Sequence, residues 1–291
     1  VFAPHKLQEE VLSYLGEMAR QAGHQREAGV TEENPLPFFL YYALNIPHAN
    51  NEGGAMPPRG MEVPLGADGK PDYGKFSTNE WPDPEKGFAQ DITFLDRYVG
   101  EILKRLEELG LSGNTLVLFS SDNGPHSEGG HQHQFFNSNG PWSGFKRSMT
   151  DGGIRVPFIA RWPGTIEPGR ESEHLSSFQD LLPTCAELAG IEELPATDGI
   201  SLVPTLRGEG EQEEHEFLYW EFRRSGGKGT VALLQDHWKM IAPLDKGSLG
   251  EPVRLYKLNK DPAEEGDLSR VFSHKAADLR DLALRARAPA P

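Results

Sequence analysis

The hydrophobic pattern of the chain alternates between two periods. From His5 to Ala22, Leu7, Val11, Leu15 and Met18 recur at helical spacing and predict an amphipathic helix. The run Pro37–Asn45, PFFLYYALN, is almost continuously apolar and predicts a buried strand that ends at Ile46-Pro47-His48. Residues 50–83 are rich in Pro, Gly, Asp and Asn and read as a long surface excursion. Phe88, Ile92, Leu95, Val99, Ile102, Leu103 and Leu106 then mark a long helix that stops at Gly110. Two β-branched or apolar runs follow, Thr115–Phe119 and Arg155–Trp162, separated by a polar loop, and a helix is expected over Phe178–Ala189.

This strand, helix, strand order predicts an α/β fold, with a mixed, mostly parallel sheet sandwiched by helices. Beyond Arg207 the texture changes. Short runs at Phe217–Phe222, Thr230–Gln235, Trp238–Ala242 and Arg254–Leu258 are broken by turns, and a helical pattern starts near Ser273. That predicts a small C-terminal antiparallel sheet with one helix, so the division expected is 1–207 for the α/β part and 208–291 for the α+β part.

Composition narrows the function. A net charge of −15 argues against nucleic acid or an anionic membrane as partner. The longest apolar stretch, Phe38–Leu44, is far short of the roughly 20 residues of a membrane helix. No signal peptide is visible at the start of the chain. The single cysteine, Cys185, excludes an internal disulfide or a thiolate cluster, and its amphipathic surroundings read as a buried, inert thiol.

Candidate chemistry concentrates between Asn114 and Pro163. The strand Thr115–Phe119 ends in Ser-Asp-Asn-Gly, where Asp122 and Asn123 present hard oxygens and Gly124-Pro125 supply a turn. Such oxygens select Ca²⁺ or Mg²⁺ over zinc. On dipeptide frequency alone a plain turn would be preferred, but Lys146, in the Gly-flanked Ser143-Gly144-Phe145-Lys146, adds a fixed positive charge suited to an anionic substrate. His48, just past a strand end, is placed for proton transfer. His126, His131 and His133 lie at a spacing that lacks a fourth zinc ligand, and lining of a pocket mouth is the preferred reading.

Together these strings resemble the sulfatase family, of the bacterial arylsulfatase type within the alkaline phosphatase superfamily. The resemblance is carried by FFLYYALNIPHAN, FLDRYVGEILKRLEELGLSGNTLVLFSSDNGPHSEGG and FFNSNGPWSGFKRSMTDGGIRVPFIARWPG, and further on by SSFQDLLPTCAELAG, DGISLVPTLRG and LYKLNKDPAEEGDLS. It implies an alkaline phosphatase-like fold and a sulfuric ester hydrolase that uses a formylglycine made from Cys or Ser in C/S-x-P-x-R. It also implies roles. Asp122 and Asn123 match two Ca²⁺ ligands, with Mg²⁺ as the alternative ion. Lys146 matches the lysine that grips the sulfate. His48 matches the histidine that contacts the sulfate and protonates the leaving alcohol, and His126 is a further candidate contact to substrate.

The chain departs from the family pattern in an instructive way. No C/S-x-P-x-R occurs, since Cys185 is followed by Ala-Glu-Leu, and the family's early paired aspartates are absent. The chain therefore reads as the C-terminal portion of a sulfatase, expected to be inactive by itself and to need the N-terminal half as partner. Thr150-Asp151-Gly152-Gly153 stands where the family has an aromatic and Glu-Gly-Gly, which puts substrate preference there in question. A sulfate/anion-binding remnant and a phosphatase or phosphonate hydrolase of the same superfamily are the competing readings. By resemblance the protein is expected to be periplasmic or secreted, acting on a small-molecule or glycan sulfate ester.

Overall fold

The computed structural model describes residues 2–27, 37–51, 60–191 and 193–287, and the chain forms two compact units. The first unit comprises residues 1–116 and 126–136. The second comprises residues 117–125 and 137–291.

Two long helices build the first unit, α1 (Ala3–Glu27) and α2 (Asp83–Glu108). On α1 the buried stripe runs through Val11 and Leu15, as the spacing predicts, but Leu7 is exposed and Gln8 takes the core position. Gln8 is tolerated there because its amide donates to the Tyr98 carbonyl at 3.2 Å and to Glu101 at 3.0 Å. Helix α2 starts with Pro84 in its first turn, where a missing N–H costs nothing, and ends beside Gly110 at φ 69°. Its buried face is rotated from the expected one. Asp91, Phe94, Tyr98 and Leu106 are inside, whereas Ile92 is 41% exposed.

Residues 37–45 correct the expectation of a buried strand. They are extended, with exposure alternating residue by residue, yet they form no ladder among the described residues, and Phe39 and Tyr41 stand 75% and 80% exposed. A strand apolar on both faces needs neighbours on both faces, and here one face packs, Phe38 edge-on against Tyr14 and Leu44 with Ile46 against Phe94 and Tyr98, while the face of Phe39 and Tyr41 is exposed. The following excursion is also more than surface. Residues 52–59 lie outside the described part, but Met61, Val63 and Tyr73 are buried. Bridge Asn50–Gly60 ties its start and bridge Leu65–Pro71 closes a turn within it.

In the second unit β1 (Val117–Ser120) and β2 (Phe158–Arg161) pair antiparallel, Val117 opposite Arg161 and Ser120 opposite Phe158. The α/β class holds, but every ladder among the described residues is antiparallel, not mostly parallel. Short helices α3 (Asp151–Ile154), α4 (Leu181–Leu188) and α5 (Val203–Arg207) surround this pair in sequence.

Four strands of the C-terminal sheet follow the predicted runs, β3 (Leu218–Arg223), β4 (Lys228–Gln235), β5 (Trp238–Asp245) and β7 (Arg254–Lys257), and a two-residue strand outside those runs, β6 (Ser248–Leu249), joins them. Two-residue turns join β4 to β5 and β5 to β6. The second, Lys246-Gly247, has both φ positive (47° and 85°), the backbone that matches strand twist. Period-two alternation gives the sheet two buried faces. Val231, Leu233, Met240, Ala242 and Leu255 pack on helix α6 (Ser273–Ala286) through Ala276, Leu279 and Ala283. Ala232, Ile241 and Tyr256, one residue out of phase, pack instead on Met149, just before α3, and on Ile154, its last residue.

Candidate functional site

Three loops of the second unit are bonded backbone to backbone around Asp122, Asn123 and Lys146. Strand β1 ends at Ser120. The Ser121 hydroxyl donates to the Asn123 carbonyl at 3.0 Å, turning the chain so that Asp122 and Asn123 leave the strand direction. The Asn123 side-chain NH₂ donates to the Gly124 carbonyl at 2.8 Å, so the amide end it commits is the donor and not the oxygen. Asp122 is exposed.

Gly124 N–H donates to Gly153 O at 3.0 Å, Gly152 N–H to Ser143 O at 2.8 Å, and Lys146 N–H to Pro125 O at 2.8 Å. Lys146 sits in a tight turn closed by Ser148 N–H to Phe145 O at 2.8 Å, with Arg147 at φ 75°. A left-handed arginine is uncommon, and such backbone is retained where surroundings dictate it. The sequence signals of Asp122, Asn123 and Lys146, 23 residues apart at the widest step, thus end in one bonded assembly.

Asp151 is turned the other way. It is 7% exposed and its carboxylate accepts from the Lys239 ammonium at 2.6 Å, on the inward face of β5. Lys239 also lies 3.0 Å from Glu264, whose second oxygen accepts the Asp151 backbone N–H at 2.5 Å. Burial pushes the Glu264 carboxyl up, opposed by Lys239 and by that N–H. The departure at Asp151 is therefore met by an internal cation.

The histidine candidates lie in the first unit. His48 follows the cis Ile46–Pro47 bond; its Nδ1–H donates to the Ala49 carbonyl at 2.8 Å, and its Nε2 lies 3.5 Å from Glu128. Its side chain is 47% exposed. Glu128 also accepts from Asn51 at 3.2 Å.

His126 is buried with both ring nitrogens committed: Nε2–H donates to Pro47 O at 2.8 Å and Nδ1 accepts the Glu128 N–H at 3.1 Å. Burial lowers its pKa, so the neutral Nε2–H tautomer is the one these bonds describe. It holds the segments on either side of His48 and Glu128.

His131 and His133 do not line a mouth, as their polar, Gly-rich surroundings had suggested. Both are buried, His131 against Glu85 at 2.5 Å and stacked 3.8 Å from Phe88, His133 against the Ser127 hydroxyl at 2.7 Å. The three imidazoles face different partners, and among the described residues no three His, Cys, Asp or Glu side chains converge as metal ligands.

Sequence reasoning missed Lys239, Glu264, Glu85 and Glu128. Lys239 was detectable as the one charge inside the apolar strand Trp238-Lys-Met-Ile-Ala, and Glu264 lies in the DPAEEG segment already noted for its resemblance. Cys185 is half-buried on α4, with burial raising its thiol pKa, as an inert thiol would be.

This architecture and these loops are those of a sulfatase. The Sulfatase family model matches residues 16–191, and the model for the C-terminal part of N-sulphoglucosamine sulphohydrolase matches residues 140–282. The chain belongs to the sulfatase family.

Among curated relatives, steryl-sulfatase of Mus musculus is 42% identical over 224 residues, covering 67% of this chain and 35% of that protein. Arylsulfatase A of Bos taurus is 31% identical over 258 residues, covering 80% and 44%. The crystal structure of Ps i-CgsB in complex with k-i-k-neocarrahexaose superimposes with a TM-score of 0.67 at 25% identity, covering 94% of this chain and 55% of that one. The chain spans less than half the length of these two curated relatives. No helix among the described residues is long and apolar enough to cross a membrane.

Proposed function

We propose that this chain carries the sulfate-gripping and leaving-group part of a sulfuric ester hydrolase, with the nucleophile supplied from outside these 291 residues. The observation that carries the reading is the bonded assembly of the Asp122–Pro125 and Ser143–Ser148 loops, which places a carboxylate, an amide oxygen and an ammonium on one rigid support.

Lys146 binds and orients the anionic sulfate oxygens. Asp122 and Asn123 supply hard oxygens to a Ca²⁺ ion, with Mg²⁺ as the alternative. Ca²⁺ takes about six to eight oxygens, so these two residues hold part of its shell and the remaining ligands come from elsewhere. When bound, such an ion neutralises sulfate charge.

His48 protonates the bridging oxygen as negative charge grows on it. Its Nδ1–H is committed to Ala49 O, so Nε2, 3.5 Å from Glu128, is the nitrogen that exchanges the proton. His126 acts by holding Pro47 and Glu128, since its own nitrogens are spent.

The residues present do not fit a formylglycine: Cys185 lacks the C-x-P-x-R context and lies half-buried on α4. The 291 residues alone are therefore inactive.

The kinship to steryl-sulfatase favours a hydrophobic alcohol as leaving group, and a glycan is the alternative that the i-CgsB neighbour supports. A periplasmic or secreted location is the companion proposal.

The test is steady-state kinetics of the full-length gene product on aryl sulfate and aryl phosphate, with Lys146→Ala, Asp122→Asn and His48→Ala. Sulfate preferred over phosphate, with losses of about 10²- to 10⁴-fold in the variants, supports the reading. Faster phosphate turnover would move the protein to the phosphatase branch.

A further inference from the structure

The C-terminal sheet contributes nothing to the roles above, yet a lysine on its central strand is buried completely and aimed at the loop that supports them. Lys239 is 0% exposed in a sheet whose neighbouring inward residues, Ile241, Ala232 and Tyr256, are apolar. A buried ammonium is retained only with close partners, and it has two: Asp151 at 2.6 Å and Glu264 at 3.0 Å.

Glu264 is built for this contact. It sits at φ 55°, in a turn where the Asp261 carboxylate accepts the Glu265 and Gly266 N–H groups at 3.1 and 2.9 Å, and it accepts the Asp151 backbone N–H. The DPAEEG segment is thus a clasp on the first residue of α3.

From Asp151 the connection to the candidate site runs through the backbone, beside a Ser148–Thr150 hydroxyl contact at 2.5 Å. Gly152 N–H bonds Ser143 O, and Gly153 O accepts the Gly124 N–H. There is no room for the connection to slacken: a β-carbon on Gly152 would lie 2.3 Å from Gly144 O and 2.4 Å from Ser143 O. Three residues before Lys146 on one side and one residue after Asn123 on the other, the chain is clamped to the Asp151–Gly153 turn.

We infer that Lys239 and Glu264 are positioning residues, which set the placement of Lys146 and of the Asp122-Asn123 pair through Asp151, so that the C-terminal sheet is part of the anion-binding apparatus. This rests on the reading of Lys146 and Asp122-Asn123 given under Proposed function. Loops carry no internal ladder to hold an ammonium to within a fraction of an ångström, and misplacement on the order of 1 Å costs about a hundredfold in such sites.

The experiment uses the full-length gene product, with inorganic sulfate as the probe by calorimetry and the melting temperature recorded beside it. Lys239→Met removes the charge at similar volume. It is expected to weaken sulfate binding by about ten- to a hundredfold in the folded protein, and to add no further loss when combined with Lys146→Ala.

Asp151→Asn keeps the backbone donor to Glu264 while removing the ion pair, and it carries the same expectation if the Met variant fails to fold. A lowered melting temperature with unchanged sulfate affinity in both variants overturns the inference and leaves Lys239 a structural residue. If Lys146→Ala itself leaves sulfate affinity unchanged, the underlying functional reading fails instead.

Discussion

Gly124 and Gly152 meet backbone against backbone: a β-carbon on Gly124 would lie 1.9 Å from the Gly152 carbonyl oxygen. Side chains are excluded from both positions, so the loop bearing Asp122 and Asn123 and the turn headed by Asp151 move as one piece. Gly124→Ala should cost at least about 3 kcal/mol, because the obstacle is backbone and cannot swing aside. For a unit of this size that lowers the melting temperature by roughly 6–12 °C. A shift under about 2 °C in a thermal melt would show that the contact yields.

Two glycines of helix α2 separate the same effect from helix propensity. A β-carbon on Gly87 would stand 2.8 Å from Met61 O, whereas nothing lies within 4 Å of one on Gly100. Gly100→Ala should therefore stabilise by about 0.5–1 kcal/mol, the usual gain on removing a helical glycine. Gly87→Ala should destabilise by about 1–3 kcal/mol despite the same gain in propensity. Denaturant midpoints of the two variants check the sign of each.

Asp91 makes stability depend on pH in an unusual direction. It is 1% exposed on α2, one of its oxygens has no hydrogen-bond partner, and burial, with Glu62 adding repulsion, pushes its carboxyl up to about 8. The folded state therefore holds a proton that the unfolded chain releases near pH 4, and stability falls as pH rises from about 4 to about 8. Asp91→Asn should remove that slope and stabilise the protein at pH 8 by about 1–3 kcal/mol. Chemical denaturation at pH 5 and pH 8 is the measurement, and equal pH dependence in the variant and the parent protein would refute the assignment.

The pair Glu85 and His131 anchors the loop that presents Glu128 to His48. Glu85 accepts from the His131 ring at 2.5 Å, both side chains buried, and from the Gln132 N–H at 2.9 Å. Glu85→Gln replaces one acceptor by a donor and should cost about 2–4 kcal/mol. Hydrogen exchange should accelerate across residues 126–133 and stay unchanged in β4 and β5. Uniform acceleration would mean that the pair serves global stability only.

Part of the second unit was legible from sequence because its signals are local. Each strand of the C-terminal sheet is a short alternating run between turn residues, and the Lys246-Gly247 turn needs only the conformational freedom of its own two residues. Likewise Asp122, Asn123 and Lys146 stand out through their immediate neighbours, a strand end and flanking glycines. The first unit was harder. Leu7 and Gln8 differ by one position on the helical wheel, and only the presence of Tyr98 O and Glu101 opposite decides which of them is inside.

The sequence by itself determined the α/β class, the antiparallel sheet with its closing helix, the family and the candidate chemistry. Those follow from periodicity, turn residues and motif order, all of which act over a few residues. Tertiary structure alone decided that PFFLYYALN leaves Phe39 and Tyr41 exposed, that the histidines of the loop are buried, and that Asp151 faces Lys239. Each of these depends on a partner distant in the chain, 88 residues away for Asp151 and Lys239. The free energy of a buried charge is set by the partner it meets, and no local pattern encodes that distance.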